Sequence, residues 1–126
     1  MRIVNEILNN YPFVVLDGGM ATELEKKGFN LNDHLWSAAI LTDKPSAIRD
    51  VHLSFLEAGA DCIITSSYQA TVNGFIKKGY SQKEAADLIK LSVKLAREAV
   101  NIFLGNNPCE KRPLPFVAGS AGSYGS

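Results

Sequence analysis

The chain is 126 residues long, the size of one small domain. Its 46% hydrophobic and 21% charged residues exclude a disordered chain, and 13 basic residues against 13 acidic ones give no electrostatic footprint for nucleic acid or an anionic membrane. No apolar run approaches the roughly 20 residues of a bilayer span, and the start Met1-Arg2-Ile3-Val4-Asn5-Glu6 does not read as a signal peptide. Cys62 and Cys109 have no CxxC partner and fit a reducing, cytoplasmic compartment better than a disulfide framework.

Ile3, Val4, Ile7 and Leu8 recur at helical spacing and predict a short amphipathic helix ending at Asn9-Asn10-Tyr11-Pro12. Phe13-Val14-Val15-Leu16, bounded by Pro12 and by Asp17-Gly18-Gly19, reads as a strand buried on both faces, a pattern of parallel sheets. Met20 to Lys27 is a helix closed by Gly28. The stretch from Phe29 to Leu41 is irregular, with one helical turn around Trp36–Ile40. Thr42 or Asp43 caps a further helix with Pro45 in its first turn, Ile48, Val51, Phe55 and Leu56 on its buried side, and Gly59 at its end.

Asp61-Cys62-Ile63-Ile64-Thr65 is the second strand, followed by a short helix up to Lys78. Ser81-Gln82-Lys83-Glu84 is a capping box, because Ser81 and Glu84 can each bond the other's free backbone N–H. It opens the longest helix, to about Leu104, with Ala85, Leu88, Ser92, Leu95, Ala99 and Phe103 along the buried stripe and Gly105 as its terminator. Phe116-Val117-Ala118-Gly119 is a third strand. Short apolar strands alternating with amphipathic helices predict right-handed crossovers and a parallel sheet: an α/β fold in one domain, residues 1–126.

The residues least explained by packing gather just after each strand: Asp17-Gly18-Gly19-Met20, then Thr65-Ser66-Ser67-Tyr68-Gln69, then Gly119 to Gly125. In parallel α/β folds these positions share one edge, where ligands bind. Each cluster has a bland alternative. Asp17 reads equally as the N-cap of the following helix, although Gly18-Gly19 would let the backbone approach a ligand. Ser66-Ser67-Tyr68 reads equally as a strand-to-helix turn. The glycines after the third strand have neither the G-x-G-x-x-G spacing nor a following Lys, which argues against a nucleotide. His34 and His52 have no Cys, His or acidic partner at ligand spacing and read as structural; Cys62 reads as a small core residue and Cys109 as exposed in a loop.

In order, Leu16-Asp17-Gly18-Gly19-Met20-Ala21-Thr22-Glu23-Leu24, Leu31-Asn32-Asp33-His34-Leu35-Trp36-Ser37-Ala38, Val51-His52-Leu53, Ala58-Gly59-Ala60-Asp61, Ile64-Thr65-Ser66-Ser67-Tyr68-Gln69-Ala70-Thr71 and Val117 to Gly125 resemble the homocysteine S-methyltransferase family. A proline is usual in that family where this chain has Ser123. The Leu-Asn-Asp-x-Leu-Trp-Ser and Ser-Tyr-Gln-Ala-Thr runs resemble the branch whose donor is S-methylmethionine or S-adenosylmethionine.

The resemblance implies a (β/α)₈ TIM-type barrel of about 300 residues, of which this chain would be the N-terminal portion with the first three βα units and no C-terminal remainder. It implies transfer of a methyl group from a sulfonium donor to the zinc-activated thiol of homocysteine, giving methionine. The family's zinc is held by cysteine thiolates, one from a later strand and an adjacent pair near the C-terminus. Cys62 and Cys109 do not match them, so zinc is expected with no ligand from this chain. Asp17, with the backbone around Gly18 and Met20, is then placed to hold the homocysteine ammonium. Thr65, Ser66 and Ser67 orient its polar end, and Tyr68 and Trp36 face the sulfonium through their ring quadrupoles. The partners so implied are homocysteine and its donor, with no nucleic acid or membrane. With few strands in hand the isolated chain is expected to be oligomeric, prone to aggregate, or loosely packed. The competing reading is a non-catalytic βαβ module that binds a small ligand or assembles with copies of itself.

Overall fold

A computed structural model of the chain describes residues 2–32, 36–67, 72–106 and 112–120. The elements among them are α1 (Arg2–Asn10), α2 (Met20–Lys26), α3 (Trp36–Asp43), α4 (Pro45–Glu57), β1 (Cys62–Ile64), α5 (Val72–Lys77), α6 (Gln82–Asn106) and β2 (Phe116–Ala118). β1 and β2 pair in parallel, with Cys62 opposite Phe116 and Ile64 opposite Ala118. The α/β class and the parallel pairing expected from the alternation of elements are both present.

The helix boundaries follow from local chemistry. Lys27 ends α2 and Gly28 takes φ +94°, while Gly59 takes φ +115° just past α4, a backbone state that costs glycine nothing. α6 starts at the capping box: the Glu84 N–H donates to Ser81 Oγ and the Ser81 N–H to Glu84 Oε1, both at 3.1 Å. Three expectations are corrected. The N-cap of α4 is Lys44, with no side-chain cap bond, and neither Thr42 nor Asp43 fills that place because both belong to α3. The turn expected around Trp36 is an eight-residue helix. Gly105 lies inside α6, which runs one residue beyond it, and does not terminate it.

Two large clusters make most of the core, and a smaller one gathers around Phe75 and Ala85. Leu24, Ile40, Leu41, Ile48, Val51 and Leu95 join α2, α3, α4 and α6; Leu56, Ala60, Ile63, Ala96, Ala99 and Phe103 join α4, β1 and α6. Fully burying one such aliphatic side chain contributes about 1.5–3 kcal/mol of transfer free energy. α4 and α6 make the most extensive helix contact, with α4 lying against β1 and α6 against β2. The expected stripe of α6 is buried as read, with Leu88 only partly so.

The largest departure concerns Phe13–Leu16. These residues do not form a strand buried on both faces: Leu16 makes one parallel bridge to Cys62, and Phe13 and Leu16 are 64% and 58% exposed. Ile3, Val15 and Leu114 are exposed as well. Four consecutive apolar residues suggest two covered faces, whereas the described chain packs its helices elsewhere and leaves this segment at the rim. No helix among the described residues is long and apolar enough to cross a membrane.

Candidate functional site

Three short segments that follow Leu16, β1 and β2, together with the starts of α2 and α3, meet at the C-terminal end of the strands. The main chain of residues 15–17 runs beside β1: the Cys62 N–H donates to the Val15 carbonyl at 3.1 Å, and the Asp17 N–H to the Cys62 carbonyl at 3.0 Å. The next rung of a parallel ladder would give the Ile64 N–H to the Asp17 carbonyl. Instead the Ile64 N–H donates to Asp17 Oδ2 at 3.1 Å, so the side chain takes over the rung. Asp17 is therefore not a helix cap. The N-cap of α2 is Gly19, with no side-chain cap bond.

On the other side of β1, the Thr65 N–H donates to the Ala118 carbonyl at 3.0 Å and the Ser120 N–H to Thr65 Oγ1 at 3.0 Å. Ser67 Oγ shares a hydrogen bond with Thr65 Oγ1 at 2.7 Å and donates to the Ser120 carbonyl at 3.2 Å. Thr65 and Ser67 thus bind the segment after β2 to the segment after β1. Ser66 differs: its hydroxyl is buried and has no hydrogen-bond partner among the described residues.

These pieces enclose a cavity of about 470 Å³. Asp17, Gly18, Gly19, Met20 and Ala21 line it together with Ile64, Thr65, Ser66 and Ser120, and with Trp36 at the start of α3. Of the expected site residues, Asp17, Gly18, Met20, Trp36, Thr65 and Ser66 come together there. Ser67 acts on the same site through Thr65 and Ser120. Tyr68 lies outside the described residues, as do His34, Cys109 and residues 121–126. Ser120 also lines the cavity, marked in the sequence only by its place just after the third strand. Gly18 has a reason other than ligand approach, since a Cβ there would sit 2.9 Å from Cε1 of the Phe55 ring.

The electrostatics of the cavity are set by burial. Burial pushes the Asp17 carboxyl above its ordinary value, against the opposing hydrogen bonds from the Ile64 N–H and its own N–H. Among the described residues no cationic side chain offsets that cost. Burial, with the Asp17 and Asp61 charges nearby, also pushes the Cys62 thiol up, which disfavours the thiolate a metal requires. Among the described residues no group of three His, Cys, Asp or Glu side chains is arranged so that it could hold a metal ion. The described residues therefore do not fit the zinc site implied by the sequence resemblance. His52 is fully buried on α4, both ring nitrogens lack a partner among the described residues, and burial lowers its pKa to about 4.

A family model described as homocysteine S-methyltransferase matches residues 14–126. The chain belongs to that family. It is 52% identical over 128 residues to the homocysteine S-methyltransferase YbgG of Bacillus subtilis strain 168, covering 100% of this chain and 40% of that protein. It is 48% identical to the homocysteine S-methyltransferase of Escherichia coli strain K12, covering 95% of this chain and 38% of that protein. The crystal structure of the metallated homocysteine methyltransferase MmuM from Escherichia coli superposes with a TM-score of 0.92 at 46% identity, covering 98% of this chain and 42% of that one. The chain thus spans about two fifths of the length of these homocysteine methyltransferases.

Proposed function

We propose that the chain is the N-terminal portion of a cytoplasmic homocysteine S-methyltransferase, and that its cavity holds the amino-acid end of homocysteine. In this reading the segment through Leu16, β1 and β2 are the first three strands of a (β/α)₈ barrel. The family membership and the fit to MmuM support it, as does the place of the cavity at the C-terminal ends of the strands.

The observation that carries the assignment is the Asp17 carboxylate. It is held by the Ile64 N–H through Oδ2, faces the cavity, and is partly desolvated without a cation to offset that cost. A bound ammonium supplies the missing charge, and a charge-assisted hydrogen bond of this kind is stronger than a neutral one. The partnerless Ser66 hydroxyl supplies a donor for the carboxylate end of the same molecule. Thr65 and Ser67 hold the wall in which Ser66 stands, and Trp36 offers a ring face to a sulfonium donor, S-methylmethionine or S-adenosylmethionine.

The reaction forms a bond between the homocysteine sulfur and the donor's methyl carbon. The carbon–sulfur bond of the donor breaks, its electron pair stays on the donor sulfur as a neutral thioether, and the homocysteine thiol gives up its proton. This chain orients the nucleophile's amino-acid end; we assign it no zinc ligand and no proton transfer. In the full-length protein, Asp17→Ala is expected to raise the KM for homocysteine about ten- to a hundredfold, with the KM for the donor and the metal content unchanged. An unchanged KM for homocysteine contradicts the assignment.

A further inference from the structure

The pairing of residues 15–17 with β1 is cut to a single bridge by two carboxylates, and only one of them faces the cavity. At the far end, the ladder would give the Val15 N–H to the Ala60 carbonyl. Instead the Val15 N–H donates to Asp61 Oδ2 at 2.9 Å, and the Ala60 carbonyl accepts from Arg112 Nη2. Asp61 Oδ1 lies 3.8 Å from Arg112 Nη2, so an ion pair stands where a main-chain rung would be. Asp61 is buried, and its own N–H donates to the Val15 carbonyl at 2.7 Å while its carbonyl accepts from the Phe116 N–H at 2.9 Å. Arg112 also donates to the Leu56 carbonyl at 3.0 Å, and its guanidinium lies 5.0 Å from the centre of the Phe103 ring. Asp61 thereby grips both the N–H and the C=O of Val15, two residues before Asp17.

We propose that Asp61, braced by Arg112, is the positioning residue for Asp17: it fixes Val15 against β1 so that the Asp17 carboxylate meets the Ile64 N–H and faces the cavity. Neither residue lines the cavity, so both act through Asp17 and not on the ligand. The proposal rests on the reading of Asp17 as the group that holds the homocysteine ammonium. It adds that the ion pair at the opposite end of the strands sets the affinity.

The test is a double-mutant cycle in the full-length protein, read as the KM for homocysteine, with thermal melting to establish that each variant folds. Asp61→Ala is expected to raise that KM about tenfold in the wild-type background and by less than about twofold in the Asp17→Ala background, because a residue acting through Asp17 has nothing left to position. Asp61→Asn, which keeps an acceptor for the Val15 N–H, restores most of the affinity. Should Asp61→Ala not fold, the same cycle run with Arg112→Gln decides. Equal effects in both backgrounds, or no effect on KM in either, overturn the positioning role while leaving the Asp17 assignment standing. The latter falls only if Asp17→Ala by itself leaves the KM unchanged.

Discussion

The two ends of the pairing between residues 15–17 and β1 are built from the same device and finished differently. At both ends an aspartate carboxylate replaces a main-chain carbonyl, Asp61 taking the Val15 N–H and Asp17 the Ile64 N–H. At the Asp61 end the charge is matched by Arg112, and the carbonyl displaced from the ladder is taken up by the same guanidinium. At the Asp17 end no cation answers among the described residues, burial raises the carboxyl, and the nearby Ser66 hydroxyl has no partner. One end closes its polar account within the chain and the other leaves charge and hydrogen bonding open to a ligand. In parallel α/β folds that division is stability at the N-terminal ends of the strands and chemistry at the C-terminal ends.

If that contrast holds, the closed end is where removing a side chain costs the most stability. Asp61→Ala leaves Arg112 with a buried charge and the Val15 N–H without its acceptor, and should cost about 3–5 kcal/mol in a denaturant titration. A loss under about 1 kcal/mol would place the ion pair with weak surface bridges and dissolve the contrast.

His52 sharpens it from the middle of α4, as a buried group that neither end satisfies. Its folded pKa, about 4, lies below the ordinary 6.5, so the unfolded chain binds the extra proton between those values. The stability it permits is complete above about 6.5 and is lost as pH falls toward 4, on the order of 3 kcal/mol in all. His52→Leu should flatten that part of the pH–stability curve. An unchanged curve shows that His52 is not the group responsible.

The smallest effect expected is at Gly18. An added Cβ meets the tip of the Phe55 ring, which is half-buried and able to shift, so Gly18→Ala should cost about 1 kcal/mol. Phe55→Leu in the same chain should recover most of it. Failure of that rescue would mean that the glycine serves the cavity and not the ring.

Local chemistry was legible in the sequence wherever its cause lay within a few residues. The Ser81–Glu84 box, Gly28, Gly59 and the stripe of α6 all read correctly because the partners are neighbours along the chain. What could not be read depends on partners some 50 residues away. Phe13–Leu16 carries the composition of a doubly covered strand, but composition does not say which strand covers it, and two carboxylates shorten its pairing to one bridge. The same holds for Asp17, which is not the cap its sequence context equally suggests because its Oδ2 takes the distant Ile64 N–H. The division of labour among Thr65, Ser66 and Ser67 became visible only with Ser120 in place. Arg112 gave no signal at all, since nothing near it in the sequence marks a guanidinium that reaches Leu56, Ala60 and Asp61.

The most direct test of the open end is Asp17→Asn, studied in the full-length protein by calorimetric titration with homocysteine and by thermal melting at neutral pH. Asparagine keeps an oxygen for the Ile64 N–H and removes the charge. Because the folded pKa of Asp17 is raised, its ionised form lowers stability as pH climbs through that value, so the variant should melt no lower than the wild type. Homocysteine affinity should fall at least about tenfold, the cost of losing a charged partner for the ammonium. A variant that binds homocysteine as the wild type does, or that loses binding only because it melts early, would contradict the account.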